Sequence, residues 1–110
     1  SLDVPNEPVV KMAQMFAENG FTIVILSGRS DKTKHTTRSW LTHNKIPFHK
    51  LVMRDSKTNH FTPDDILKKD MLDKHVDIND VFLVVDDRDK VVKMWRDLGL
   101  NTFQVAEGDF

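Results

Sequence analysis

Two adjacent carboxylates, Asp86 and Asp87, follow directly on the apolar run of residues 81–85. Neighbouring carboxylates repel each other unless a cation shares their charge, and Mg2+ prefers oxygen ligands of this kind. The pair therefore predicts a metal site. The alternative is that one aspartate caps the following helix while the other is solvated. These two residues alone leave both interpretations open.

A second polar group, Ser27-Gly28-Arg29, also follows an apolar run. A hydroxyl, a glycine that lets a ligand approach the backbone, and a guanidinium together form a phosphate-binding set. The alternative is an ordinary turn, which is the more frequent use of Ser-Gly after a strand. Phosphate binding needs support from other residues.

The third group is Lys68, which lies four residues after Asp64 in a predicted helix. Taken alone, this spacing favours an exposed ion pair that contributes little to stability. A phosphate-handling site, however, needs a hydroxyl, a fixed cation and carboxylates that hold a metal. One parallel sheet could bring all three groups to the same edge.

The elements that carry these residues predict such a sheet. Residues 21–26 and 81–85 are uninterrupted apolar runs, which are typical of strands buried on both faces of a parallel sheet. Residues 50–53 and 102–105 are predicted as shorter strands. Helical segments separate the strands, so we expect parallel βα units with right-handed crossovers. Ligands bind at the carboxyl ends of such strands.

Four helices are predicted, one before the first strand and one between each pair of successive strands. Asn6 caps the first, which Gly20 ends, and residues 30–44 form the second. The third begins with Thr62 as the N-cap and Pro63 at the first helical position. The apolar positions expected to face the core are Ile66, Leu67 and Met71 in the third helix and Val91, Trp95 and Leu98 in the fourth, which Gly99 ends.

The composition describes an ordinary globular chain. It has 110 residues, a mass of 12.7 kDa and a net charge of -1, and we predict a single domain. The absence of cysteine excludes disulfides and thiolate metal sites, and the five histidines lack metal-ligand spacing. No apolar run is long enough to span a membrane, so we expect a soluble, cytoplasmic protein.

Nucleic-acid contacts would have to be local, because the net charge gives no general basic surface. Basic residues cluster beside Ser27 and could steer a phosphodiester backbone, with Arg54 and His60 adding to them. The equally weighted alternative is a solvated polar helix and loop. The cluster consists of Arg29, Lys32, Lys34, His35 and Arg38.

Residues 86–96, with Gly99 and the ending of residues 104–110, closely resemble the C-terminal phosphatase domain of bacteriophage polynucleotide kinase/phosphatase. The resemblance extends back through residues 63–68 and 27–29 to residues 3–6, and so covers the chain. This family belongs to the haloacid dehalogenase superfamily, so the resemblance implies a Rossmann-like parallel sheet flanked by helices. It also implies removal of a 3'-phosphate from a polynucleotide end through an aspartyl-phosphate intermediate.

The resemblance implies a role for individual residues. Ser27 resembles the hydroxyl that holds the substrate phosphate, and Arg29 a further phosphate or strand contact. Lys68 resembles the lysine that steadies the transferring phosphoryl group, with Asp64 positioning it. The acidic pair resembles the Mg2+ anchor. We add Gly28, Arg38 and Arg54 to the expected phosphate and substrate contacts.

One family motif is missing from these 110 residues. The family's Asp-x-Asp-Gly-Thr strand supplies the nucleophile, so we expect a partial domain that is inactive by itself. That strand would lie between residues 21–26 and 81–85. We expect those two strands to pair directly, although a second copy or a partner strand could fill the position.

Two other functions are considered beside an incomplete phosphatase. One is a non-catalytic module that binds a phosphate or a nucleic-acid end. The other is a receiver-like phosphoacceptor domain, which is disfavoured because a receiver carries its acidic pair after an early strand.

Overall fold

The computed structural model describes residues 5–110, and residues 3 and 4 of the family resemblance lie outside them. Helices and strands alternate along the described chain, with short 3-10 helices at Asp31–Thr33 and Ile78–Asp80. The elements are α1 (Glu7–Glu18), β1 (Val24–Ser30), α2 (Lys34–His43), β2 (Lys50–Arg54), α3 (Asp64–His75), β3 (Val84–Asp86), α4 (Asp89–Asp97) and β4 (Thr102–Gln104).

The described chain divides into two compact units, with the division between His60 and Phe61. The first unit contains α1 to β2 and the second contains α3 to β4. The single domain expected from the sequence stays a prediction. Within residues 5–110, no helix is both long and apolar enough to cross a membrane.

All the strand pairs of the described residues are parallel, as predicted. β1 pairs with β2 in one two-stranded sheet, and β3 pairs with β4 in another. The expected direct pairing of residues 21–26 with 81–85 is therefore wrong. Each of the two sheets instead joins two consecutive strands, β1 with β2 and β3 with β4, across a crossover that contains one α-helix.

The two apolar runs form strands with bounds that differ from those predicted. β1 begins at Val24 and continues through Ser30, so it contains residues that were predicted to follow the strand. β3 has only three residues, because its ladder with β4 begins at Val84 and ends at Asp86. Phe82 is 61% exposed, and burial on both faces is therefore wrong for residues 81–85.

The ends of α1 and α4 confirm their predicted signals. The Asn6 side chain accepts a hydrogen bond from the Val9 amide at the start of α1. Gly20 and Gly99 follow α1 and α4 with φ of 86° and 84°, a conformation that side chains disfavour. Trp95 is buried in α4, as expected from its spacing.

Helix α3 begins one residue later than predicted. Pro63 is the N-cap, with an extended ψ of 147°, and its carbonyl accepts the Leu67 amide. The N-cap is therefore Pro63, which makes no side-chain capping hydrogen bond, and not Thr62 as predicted. Pro63 still suits the helix start, because its missing amide leaves no unpaired donor there.

The buried face of α3 is partly the one predicted. Leu67 and Met71 are buried, as expected, but Ile66 is 58% exposed. Leu72 takes the third buried position instead. Leu67 and Met71 lie one turn apart on one face, and Ile66 is about 100° away from Leu67 around the helix.

The first unit has a small core of its own. Leu41 of α2 packs with Leu51 and Met53 of β2. Trp40 packs against this cluster, which agrees with its predicted core role. The core lies between α2 and the sheet, and it therefore supports the strand that carries Ser27.

Candidate functional site

In the second unit, Lys68 lies between two carboxylates. Its Nζ atom is 3.5 Å from Asp64 Oδ2 and 3.4 Å from Asp86 Oδ2. The three side chains are only 10 to 13% exposed. The interpretation of Asp64 and Lys68 as an exposed helical pair is therefore wrong. A partly buried ammonium held by two carboxylates has a fixed position, which an exposed lysine lacks.

The Asp86 carboxylate stands at the carboxyl end of β3 and is held by several donors. Its Oδ1 accepts the Asp87 amide at 2.8 Å. Its Oδ2 accepts the Trp95 indole Nε1 at 3.2 Å in addition to Lys68. Three donors from three different residues fix the orientation of this carboxylate before any ligand binds.

The capping alternative for the acidic pair is not what the structure shows. The N-cap of α4 is Arg88, and its side chain makes no capping hydrogen bond. Asp86 instead bonds within the strand end, and Asp87 is exposed. Arg88 adds a second cation, with its NH1 3.6 Å from Asp64 Oδ2.

The carboxylates of Asp86 and Asp87 are of the chemical type that Mg2+ prefers, with substrate and water as its other ligands. Within residues 5–110, no group of three or more His, Cys, Asp or Glu is arranged to hold a metal. Mg2+ usually binds through one or two carboxylates together with substrate phosphate and several waters. Each carboxylate has about four acceptor sites, so Asp86 keeps some for a cation. The Mg2+ site stays a prediction.

In the first unit, the predicted phosphate-binding residues lie inside β1 rather than in a turn after it. Ser27 pairs with Met53, and Ser30 pairs with Arg54, so the register shifts between the two serines. The Ser27 hydroxyl accepts the Arg29 amide at 3.1 Å. This irregularity interrupts the regular ladder at Gly28, as β-bulges near active sites do.

Arg54 holds this irregular segment. Its Nε donates to the Gly28 carbonyl at 2.8 Å, and its NH1 donates to the Asn59 carbonyl at 2.7 Å. Arg54 therefore links the irregularity in β1 to the loop that follows β2. Its role as a substrate contact stays a prediction, as do those of Ser27, Gly28 and Arg29.

The basic cluster beside Ser27 is exposed. Within the cluster, the Arg38 guanidinium lies 5.7 Å from the centre of the Phe48 ring, in a cation–π contact. The surface can therefore meet a charged partner, while nucleic-acid contact stays a prediction. Its exposed members are Arg29, Lys32, Lys34, His35 and Arg38.

Two residues that contact the acidic pair were not predicted to do so from the sequence. Trp95 was predicted as core, and its spacing from Val91 correctly indicates a buried face. Nothing in that spacing shows that the indole N–H reaches Asp86, because the direction of the ring depends on tertiary packing. Likewise, nothing in the sequence around Gln104 indicates that its side chain donates to the Asp87 carbonyl at 3.0 Å.

Parallel strands joined by helices, with a lysine and carboxylates at a strand end, define an α/β domain suited to handling phosphoryl groups. A family model described as the polynucleotide kinase PNKP phosphatase domain matches residues 1–110. The chain therefore belongs to this family, which is of the haloacid dehalogenase type. The receiver-like alternative is wrong, and a bacteriophage origin stays a prediction.

Solved structures agree with this assignment. A chain of a structure titled "Structure of Pnkp1/Rnl/Hen1 complex" is 36% identical, with a TM-score of 0.90, over 97% of this chain and 37% of that one. A chain titled "Structure of the Pnkp1/Rnl/Hen1 RNA repair complex" is also 36% identical, with a TM-score of 0.90, and is covered over 34% of its length. The present chain thus spans about a third of these similar chains. The predicted α/β fold class is confirmed.

Proposed function

We propose that these residues are part of a Mg2+-dependent phosphatase that removes the 3'-phosphate from polynucleotide ends. The observation that carries this proposal is the partly buried cluster in which Lys68 lies between Asp64 and Asp86. Membership of a polynucleotide kinase phosphatase family supports the reaction class. That the phosphate is removed from the 3' end is inferred from the family resemblance.

The cluster suits phosphoryl transfer, which depends mostly on positioning and on neutralising charge. Lys68 would meet the negative oxygens of the transferring group, and Asp64 would hold its Nζ in place. Asp86 and Asp87 would hold Mg2+, which neutralises charge on the phosphoryl oxygens when it is bound. Fixed charges of this kind need no rearrangement during the reaction, and this is why they lower the barrier.

Substrate binding is assigned to the first unit. The Ser27 hydroxyl, which accepts the Arg29 amide, would donate its own proton to a phosphate, and the irregular backbone at Gly28 would let the phosphate approach. Arg29, Arg38 and Arg54 are proposed as further contacts, with the exposed basic cluster attracting the polynucleotide backbone. A phosphate contact fixes the position of the substrate without reading its sequence.

The attacking carboxylate is proposed to come from outside these 110 residues, which contain no Asp-x-Asp-Gly-Thr sequence. A second copy or a partner strand would be one source, and another segment of the same polypeptide a second. The complexes named in the titles of the similar structures support protein partners in addition.

The test is release of phosphate from 3'-phosphorylated RNA and DNA oligonucleotides, since one similar chain is titled as part of an RNA repair complex. The assay compares the 110-residue chain with the longest polypeptide encoded in the same reading frame. We expect Mg2+-dependent release by the longer polypeptide, loss of release with Asp86→Asn or EDTA, and none from the 110 residues. The matched control is Asp97→Asn, which changes an exposed carboxylate of α4.

Two outcomes would contradict the proposal. Binding of the oligonucleotide end without release by the longer polypeptide would favour the non-catalytic end-binding module. Release by the 110-residue chain that Asp86→Asn abolishes would show that the attacking carboxylate lies within it.

A further inference from the structure

The residues that carry the acidic pair are tied to the end of the chain. We name residues 86–88 the acidic loop and residues 104–110 the 104–110 segment. The first tie extends the pairing of β3 with β4, since the Val105 amide donates to the Asp86 carbonyl at 3.1 Å. The acidic loop is therefore bonded to the 104–110 segment at Asp86, the last residue of β3.

Further hydrogen bonds follow at the Asp87 carbonyl and at Asp89. The Gln104 Nε2 atom donates to the Asp87 carbonyl at 3.0 Å and to Asp89 Oδ1 at 2.6 Å. The Asp89 amide in turn donates to the Gly108 carbonyl at 2.8 Å. The backbone on either side of Asp87 is thus held by the 104–110 segment.

Gly108 is the point of closest approach between the two segments. A Cβ atom at this position would overlap the Asp87 carbonyl oxygen and would lie 2.6 Å from the Asp87 carbonyl carbon and 2.7 Å from Arg88 Cα. These atoms belong to the backbone and cannot rotate away. Among the described residues, positive φ values at glycine occur at Gly20 and Gly99, so the requirement at Gly108 is space rather than conformation.

Arg88 fastens the end of the same segment. Its Nε donates to the Phe110 carbonyl, and its guanidinium lies 5.2 Å from the centre of the Phe110 ring. The same guanidinium is close to Asp64. The 104–110 segment is therefore connected to the charged cluster through side chains as well as through the backbone.

We propose that Gly108 is a positioning residue, which allows the 104–110 segment to lie against the acidic loop and so fixes the carboxylates of Asp86 and Asp87. This inference rests on the proposed function, in which these carboxylates hold the cation. The physical link is the Asp87 backbone: a Cβ at position 108 would displace the Asp87 carbonyl group, and the amide of the same residue donates to Asp86 Oδ1. Residues that orient metal ligands change metal affinity by about ten- to a hundredfold when they are altered.

The first arm of the test needs neither metal nor substrate. Hydrogen exchange is measured in the full-length polypeptide for the Asp89 and Val105 amides, which bond across the two segments. We expect about tenfold faster exchange in Gly108→Ala, because local opening of these bonds becomes easier. Glu107→Ala, a change at an exposed neighbour, should leave both rates unchanged. The Leu67 amide, which bonds the Pro63 carbonyl within the second unit, reports any general loss of stability of that unit.

The second arm titrates Mg2+ and follows the fluorescence of Trp95, whose indole bonds Asp86, in a Trp40→Phe background. We expect Gly108→Ala to raise the half-saturating Mg2+ concentration about tenfold. The KM for the oligonucleotide should stay at the wild-type value, since the proposed phosphate contacts lie in the first unit. A merely structural defect would change both quantities together.

Unchanged exchange rates in Gly108→Ala would overturn the inference, as would faster exchange with an unchanged Mg2+ requirement. If the wild-type polypeptide binds no Mg2+, the proposed function fails, while faster exchange would still support the role of Gly108 in fixing the loop. If Gly108→Ala does not fold, Gln104→Met replaces it. That variant loses the two Gln104 hydrogen bonds, and its amides should exchange about threefold faster.

Discussion

The charged cluster of the second unit and the interrupted strand of the first unit hold their polar groups in different ways. In the cluster, Lys68 and Asp86 contact each other through side chains that are 10 to 13% exposed. At the interruption, the Ser27 hydroxyl bonds the backbone, and Arg29 is exposed. Fixed, partly buried charges suit stabilisation of a transition state, while accessible donors suit binding. Changes in the cluster should therefore lower kcat, and changes at the interruption should raise KM.

The largest effect is expected from Asp86→Asn in the longer polypeptide. The substitution removes the charge that faces Lys68 and that would hold Mg2+, so kcat should fall about a thousandfold. Phosphate release from a 3'-phosphorylated oligonucleotide measures it. Asp97→Asn should behave as wild type, because Asp97 is 63% exposed and pairs with Lys93. A kcat close to wild type in Asp86→Asn would contradict the expectation that changes in the charged cluster lower kcat.

A smaller loss is expected from Lys68→Met. We expect kcat to fall about a hundredfold, because the transferring phosphoryl group loses its fixed cation. Lys69→Met is a matched control: Lys69 is the next residue of α3, is 48% exposed, and pairs with Asp73. Steady-state kinetics of the two variants separates a fixed lysine from an exposed one. Equal losses in both would show that burial does not distinguish them.

The first unit gives the next prediction. Ser27→Ala should raise KM about tenfold with little change in kcat, since one hydrogen bond to a charged phosphate is lost. Ser30→Ala is the control, because each hydroxyl accepts the amide two residues further on, at 3.1 Å for Ser27 and 3.2 Å for Ser30. A fall in kcat without a change in KM for Ser27→Ala would place this serine with the charged cluster instead.

Trp95→Phe should lower kcat modestly, and it tests whether the indole N–H orients the Asp86 carboxylate. The phenyl ring fills most of the buried space but lacks the N–H that donates to Asp86 Oδ2. Losing one hydrogen bond of about 1 kcal/mol corresponds to about a fivefold fall in kcat. Trp40→Phe, in the core of the first unit, should leave kcat unchanged. Identical kinetics of the two variants would reduce Trp95 to a packing role.

The smallest effect is expected in the exposed loop after β2. The Lys57 backbone amide lowers the pKa of Asp55 below its usual value of 3.8, by bonding Oδ1 at 2.8 Å. A lowered pKa in the folded state adds stability above the unfolded value, and this stability is lost as the pH falls through the folded value. The Tm difference between wild type and Asp55→Asn should therefore be constant at neutral pH and shrink below about pH 3.8. A difference that grows in acid would contradict this sign.

Local signals predicted the helices better than the strands. Asn6 and Gly20 mark the ends of α1 because a cap and a left-handed stop act on the neighbouring backbone alone. The strand bounds were less accurate, since a residue counts as strand only where a partner strand lies opposite. Val84 is the first residue of β3 for this reason, although the apolar run begins at residue 81.

The candidate site shows the same difference between features set by local sequence and features set by tertiary contacts. The acidic pair could be recognised from carboxylates after an apolar run, while the roles of Lys68 and Asp64 were predicted from the family resemblance, because their i,i+4 spacing alone favoured an exposed ion pair. Ile66 was placed wrongly, because its exposure depends on what packs against α3. Gln104 and Gly108 contact residues about 20 positions earlier, and nothing in their neighbourhood indicates it.

By itself, the sequence determined the order of helices and strands, the parallel connections and the residue types available for phosphate chemistry. These features depend on local conformation and on the period of apolar residues. Only the tertiary structure decided that Lys68 is partly buried against Asp86, that Trp95 donates to the same carboxylate, and that Gly108 lies against the Asp87 peptide. Such contacts join residues that are distant in the chain, and they form only when the helices pack on the strands.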